Sequence, residues 1–237
     1  MASQVPVDGA DTLEEPIATL SKRIDDLLIK RLLQPNQRIM IALAGVPGSG
    51  KSTVSTQLLR SIRQRGVENV MVVPMVRLSP LQGEVARRLT TLKDGFHLPK
   101  KTLATFPCPE TAFRRRGAPF TFDADAFVAT VASLKSRPVT QLHDPELAVL
   151  LPSFDHAVQD PVCDDICVPS STQVIIFEGN YLLFDESPWN KASVMFDEKY
   201  DSLVFARMLA DGFQVVCGRS IRDCEAASCH SPSTRGD

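Results

Sequence analysis

Gly45, Val46, Pro47, Gly48, Ser49, Gly50, Lys51 and Ser52 are consecutive and fit the pattern G-x-x-x-x-G-K-[ST]. Residues of these types at this spacing can hold a polyphosphate. Glycines allow a tight turn whose backbone N–H groups converge on phosphate oxygens, and a helix that follows adds the positive end of its dipole. Lys51 is expected to reach the β- and γ-phosphates and Ser52 to ligate Mg²⁺, with the nucleotide lying along Gly45 to Thr53. The pattern carries this meaning only between a strand and a helix. Ile39 to Ala44 is a short apolar run that reads as a buried strand, and Val54, Leu58, Leu59 and Ile62 recur at helical spacing. A glycine-rich turn that binds nothing is the plain alternative, and both flanks speak against it.

A phosphate cradle does not say what becomes of the phosphate. Phosphoryl transfer also needs a metal holder, a base for the acceptor hydroxyl and cations for the developing charge. Glu178 ends the apolar run that begins at Gln173, and a carboxylate at a strand end suits Mg²⁺; a capping carboxylate is the other reading. Asp94 is the candidate base, although Asp94-Gly95 is also a common turn pair. Arg114, Arg115 and Arg116 could clamp an anionic substrate or form a solvated basic loop. Asp155 and His156 could bind substrate hydroxyls or be ordinary loop residues. GTPase chemistry is disfavoured, because Asn190-Lys191 is followed by Ala192-Ser193 rather than completing N-K-x-D, and no D-x-x-G switch motif occurs.

The elements that must position these groups can be read from periodicity. Ile17, Leu20, Ile24, Leu27, Leu28 and Leu32 mark an amphipathic helix that Gln34-Pro35-Asn36 stops. Residues 70–73 form a second strand. Residues 76–93 have no clean period, with a weak helix over 81–92. Residues 111–123 are loop-like and basic, and Phe127, Val128, Val131 and Leu134 mark a helix from about 123 to 135. Residues 147–151 suggest a strand that leads into residues 152–161. Further strands are expected at 203–206 and 214–217, and a disordered tail from 218. Alternating strands and helices after a phosphate loop predict an α/β fold with a parallel sheet flanked by helices. Ligands gather at the carboxyl ends of such strands, where Asp94 and Glu178 would meet Lys51.

Composition narrows the setting. With 237 residues, 43% hydrophobic and a net charge of −2, the chain suits one soluble domain with a real core. Near-neutral charge predicts neither nucleic-acid nor membrane partners. The acidic start lacks the apolar core of a secretory signal, so a cytoplasmic location is expected. None of the six cysteines forms a C-x-x-C pair, which favours reduced thiols over a zinc site. Oligomeric state is not readable.

Several segments together resemble the uridine kinase, phosphoribulokinase and pantothenate kinase group of P-loop kinases, above all a uridine-kinase-like branch of fungi and bacteria. They are the phosphate loop, D-G-F-H-L at 94–98, R-R-G-A-P-F-T-F-D at 115–123, S-F-D-H-A-V at 153–158 followed by Asp160-Pro161, and E-G-N-Y-L-L at 178–183. The resemblance implies a P-loop NTPase fold and ATP- and Mg²⁺-dependent phosphorylation of a hydroxyl on a small molecule, nucleoside-like or pantothenate-like. It matches Asp94 to the group's catalytic aspartate and Glu178 to its metal-associated glutamate. His97, Arg115, Arg116, Asp155 and His156 fall in segments that line the group's acceptor site. The identity of the acceptor does not carry over.

Two departures from the group stand out. Its second strand runs straight into D-G-F-H, whereas here residues 76–93 intervene between Met75 and Asp94. A loop of 18 residues is tolerable entropically, but a catalytic carboxylate has little freedom to move. The group's Arg-rich lid is expected to be truncated or missing, since Phe196-Asp197-Glu198 leads to Lys199-Tyr200-Asp201 without it. Retained introns would account for both, because Val codons begin GT, Lys can be AAG, and Lys199-Tyr200 and Phe213-Gln214 permit the same boundaries. The competing readings are a real isoform that binds ATP but transfers phosphate poorly, acting as an ATPase module, and a misassembled product. The expected organisation is a tail and helix over 1–36, a kinase-like domain over 37–206 with an insertion at 76–93, and a disordered or aberrant tail over 207–237.

Overall fold

The computed structural model describes residues 11–74, 95–155 and 157–201. The insertion at 76–93, the helix expected within it, Asp94, His156, the strands expected at 203–206 and 214–217, the lid and the tail over 207–237 all lie outside the described residues.

Helix α1 (Asp11–Leu33) leads to β1 (Ile39–Ala44), α2 (Lys51–Gln64) and β2 (Val70–Pro74). After the break come short helices α3 (Lys100–Leu103) and α4 (Pro109–Arg114), then α5 (Ala124–Ser136). Strands β3 (Val149–Asp155), β4 (Asp160–Val168) and β5 (Val174–Gly179) follow, then α6 (Trp189–Ser193) and β6 (Glu198–Asp201). Strands β2, β5, β1 and β6 form a parallel sheet in that order, and β3 and β4 form a separate antiparallel hairpin.

The sheet is covered on both faces, which is why β1 and β5 read as unbroken apolar runs. Alternate residues divide between two cores. Ile39, Ile41 and Leu43 of β1, with Val174 and Ile176 of β5, face Val54, Leu58 and Ile62 of α2 and Leu20 and Ile24 of α1. Met40, Ala42 and Ala44, with Ile175 and Phe177, face Phe127, Val131 and Leu134 of α5, together with Trp189 and the inner side of the β3–β4 hairpin. Burying Leu20 and Ile24 holds α1 down by about 1.5–3 kcal/mol per side chain. Leu32, expected on the same stripe, is exposed, and the buried face ends before it.

Two sequence expectations need correction. Residues 111–123 are not all loop. Pro109, whose fixed φ suits a first helical position, starts α4, and a 3-10 turn spans Pro119–Thr121. The strand expected at 147–151 extends further, and Asp155, which could have been an ordinary loop residue, ends it. β3 runs to Asp155 and pairs with a strand that periodicity did not reveal, with Ser153 opposite Val162 and Asp155 opposite Asp160. That partner, β4, hides because Cys163, Asp164 and Asp165 are exposed and the register shifts between Leu151 and Ser153, with Asp164 at φ 54. β6 was also unforeseen: its polar E-K-Y-D pairs in parallel with β1 at the edge of the sheet.

Candidate functional site

The phosphate loop leaves the carboxyl end of β1 and enters α2 at Lys51. Gly48 and Gly50 both take φ 82, a left-handed conformation that glycine adopts without a steric penalty, and Gly50 is the N-cap of α2. Where Gly48 would carry a Cβ the space is open, so backbone conformation and not crowding calls for glycine there. Within the first helical turn the N–H groups of Thr53 and Val54 donate to the Gly50 carbonyl, each at 3.0 Å, which closes the loop onto the helix. Lys51 is buried, and its ammonium curls back to donate to the carbonyls of Gly45 and Val46, each at 2.7 Å. Burial lowers its pKa from the ordinary lysine value, and the Glu178 carboxylate nearby offsets part of that.

Glu178 reaches this loop because of strand alternation. It shares the parity of Val174 and Ile176, so its side chain lies on the α2 face, and its register partner on β1 is Leu43. Its carboxylate is buried and accepts two hydroxyls of α2. Ser52 Oγ donates to Oε1 at 2.5 Å and Ser55 Oγ lies 3.0 Å from Oε2. Hydroxyl and carboxylate oxygens side by side are the kind of donor a hard divalent cation prefers. Ser52 and Glu178 are therefore the residues that would hold Mg²⁺, and the loop with Lys51 fits the phosphates it would accompany.

The segments from 95–98 and 115–123 lie together beside this end of the sheet. His97 bridges Phe122 in antiparallel fashion, Leu98 N–H donates to Thr121, and Asp123 N–H donates to Phe96. The His97 ring is buried and stacks on Phe122 at 4.1 Å, with Phe154 of β3 at 5.3 Å. Gly95, next to Asp94, packs so tightly on β3 that a Cβ there would stand 1.9 Å from the Pro152 carbonyl oxygen. Tyr181, just past β5, donates its hydroxyl to the Gly117 carbonyl at 2.8 Å and sets its ring edge-on to Phe122. The E-G-N-Y segment is thus tied to the basic segment.

The arginines divide in their roles. Arg114 and Arg115 are exposed, with Arg115 over the Phe120 ring. Arg116 is committed to the hairpin. It donates to the carbonyls of Gln159 and Leu98, pairs with Asp160 at 3.3 Å and lies over Phe154. Asp160 also accepts the Lys100 N–H that opens α3, at 2.8 Å. At the hairpin tip, the exposed Asp155 accepts from the N–H groups of Ala157 and Val158. The fold therefore brings Lys51, Ser52 and Glu178 into one cluster, and His97, Arg116 and the hairpin into a second that Tyr181 joins to β5. Sequence reasoning missed Ser55, Asp160 and Tyr181. A hydroxyl three residues after Ser52, on the same helix face, was the available signal for Ser55.

A parallel sheet, a glycine-rich loop leading from a central strand into a helix, and a carboxylate on the neighbouring strand against that helix define the P-loop NTPase fold. No family model matches the chain. It is 43% identical over 169 residues to a Schizosaccharomyces pombe protein named "Putative uridine kinase C227.14", covering 71% of this chain and 61% of that protein. It is 45% identical over 107 residues to the "ATP-dependent kinase-like protein notR'" of Aspergillus versicolor, covering 45% of this chain and 60% of that one. The chain thus spans about three fifths of the length of these curated relatives, 61% and 60%. The crystal structure of a "putative fructose transport system kinase" from Silicibacter sp. TM1040 superposes with a TM-score of 0.57 at 30% identity, covering 84% of each chain. The chain belongs to the P-loop kinases.

Among the described residues no helix is long and apolar enough to cross a membrane.

Proposed function

We propose that the protein transfers the γ-phosphate of Mg²⁺-ATP to a hydroxyl of a small molecule, nucleoside-like or pantothenate-like. One observation carries this reading: Lys51, Ser52 and the buried Glu178 converge where β1 and β5 end. Bound Mg²⁺ would supply charge neutralisation between the phosphates. In this reading the loop N–H groups and Lys51 bind the β- and γ-phosphates, and Ser52 and Glu178 hold the metal. Asp94 is assigned the acceptor's proton on the likeness of D-G-F-H-L at 94–98 to the group's catalytic segment. The acceptor side comprises His97, Arg115, Asp155 and His156, with Arg116 bracing the hairpin through Gln159 and Asp160. The relatives' names support the phosphotransferase class, and the acceptor is left to experiment.

The test is ADP formation by the purified full chain against a panel of nucleosides, sugars and pantothenate-like alcohols. ADP release that depends on one acceptor class, and is lost in Lys51→Ala and Asp94→Asn, is the expected result. Asp94→Asn should keep ATP binding. Release at the same rate with no acceptor present would replace the phosphotransferase reading with an ATPase.

A further inference from the structure

Ser55 has no part in the reaction just described, yet it touches the metal-holding carboxylate. It lies one turn beyond Ser52 on the same face of α2, and its Oγ is 3.0 Å from Glu178 Oε2 and 3.1 Å from the Ser52 carbonyl. A helical serine can satisfy itself on the carbonyl three residues back, and such a serine needs no carboxylate. Here the single hydroxyl proton faces two acceptors, and one of them is the carboxylate. The two oxygens of Glu178 also differ in surroundings. Ser55 is 4% exposed, whereas Ser52, on the other oxygen, is open to solvent.

We propose that Ser55 is a positioning residue that pins Glu178 Oε2 on the buried side, so that Oε1 is presented beside the Ser52 hydroxyl for the divalent cation. A carboxylate with one oxygen held has a fixed rotamer, and partners of this kind orient a metal ligand without touching the metal. Without the hydroxyl, Oε2 is a buried acceptor with no donor from α2, and the carboxylate is free to turn. The inference rests on the Mg²⁺-ATP reading above.

The experiment uses the full chain as parent, Ser55→Ala and Ser55→Thr. A fluorescent ATP analogue is titrated without metal and then at rising MgCl₂, and the Mg²⁺ concentration at half-maximal gain in affinity is read. Ser55→Ala is expected to raise that concentration about tenfold or more and to leave metal-free binding unchanged. Ser55→Thr, which keeps the hydroxyl, is expected to restore the parent value. If Ser55→Ala fails to fold, as circular dichroism would show, Ser55→Cys keeps the volume while weakening the hydrogen bond and carries the same expectation. An unchanged Mg²⁺ requirement in the folded variant overturns the inference, as does Ser55→Thr performing as badly as Ser55→Ala. A parent that binds no nucleotide under any condition defeats the underlying ATP reading and this inference with it. A parent that binds, beside an unaltered Ser55→Ala, defeats this inference alone.

Discussion

The hydroxyl of Ser52 donates to Glu178 at 2.5 Å across 126 residues of sequence. One residue lies in the first turn of the helix after the phosphate loop, and the other is next to last in the strand beside the one that feeds that loop. Their meeting depends on the parallel pairing of β1 with β5, which sets Leu43 opposite Glu178 and aims the carboxylate at α2. A hydroxyl and a carboxylate so arranged are useful to Mg²⁺, and their contact makes the first turn of α2 and the end of β5 one unit.

Lys51 should matter for nucleotide binding more than for folding. Replacing it with Ala removes charge-assisted hydrogen bonds to phosphate worth about 1.5–3 kcal/mol. ATP affinity is expected to fall by about 10- to 100-fold, measured with a fluorescent analogue, while the thermal midpoint changes little. Parent-like affinity would remove Lys51 from the site.

The same lysine makes binding pH-dependent. Burial lowers its pKa from 10.5 in the folded chain. The charged form is therefore disfavoured on folding, a penalty present in full below the lowered value and relieved as pH rises towards 10.5. From this group alone, the ligand-free protein gains stability with pH across that window. Phosphate acts oppositely, because anionic oxygens favour the ammonium. ATP affinity is expected to fall as pH climbs through the lowered pKa, by at most about tenfold per pH unit, with protons taken up on binding. Calorimetric titrations in buffers of different ionisation enthalpy would show that uptake, and its absence would mean that Lys51 does not meet the phosphates.

Gly95→Ala should destabilise the fold. The added methyl would meet the backbone carbonyl of Pro152, which has no side-chain freedom to yield. Overpacking of this kind costs about 1–3 kcal/mol, and urea unfolding is the measurement. An unchanged midpoint would show that β3 can draw back from residue 95 without cost.

The pair of Arg116 and Asp160 should hold the hairpin tip. Asp160→Asn keeps the shape but gives up the charge that Arg116 and the Lys100 N–H both use. The expected loss is about 1 kcal/mol, seen as faster hydrogen exchange at residues 157–160 with the sheet amides unaffected. Arg116→Lys should do the same, since one ammonium cannot reach Gln159, Leu98 and Asp160 together. Uniform exchange across the chain would mean that the pair does not hold the tip on its own.

Local chemistry was legible without coordinates. The phosphate loop, β1, α2, β2, α5 and β5 all announce themselves through runs or periods within a single segment, and Lys51, Ser52 and Glu178 could be named from their place at the ends of those runs. What stayed hidden depends on contacts between distant segments. β4 escaped notice because an exposed, bulged edge has no apolar period, and only pairing with β3 makes it a strand. Arg116 read as an anion clamp or as part of a solvated basic loop, and its contacts with Gln159 and Asp160 of the hairpin were not foreseen. Ser55 looked like any helical serine, because its link to Glu178 exists only once β5 lies against α2. Sequence determined which residues could cradle phosphate and metal, since backbone conformation and side-chain type are local properties. Tertiary structure decided which groups face that cradle and which brace it, because strand parity and register set those directions across more than a hundred residues, with the Ser55–Glu178 contact spanning 123 of them.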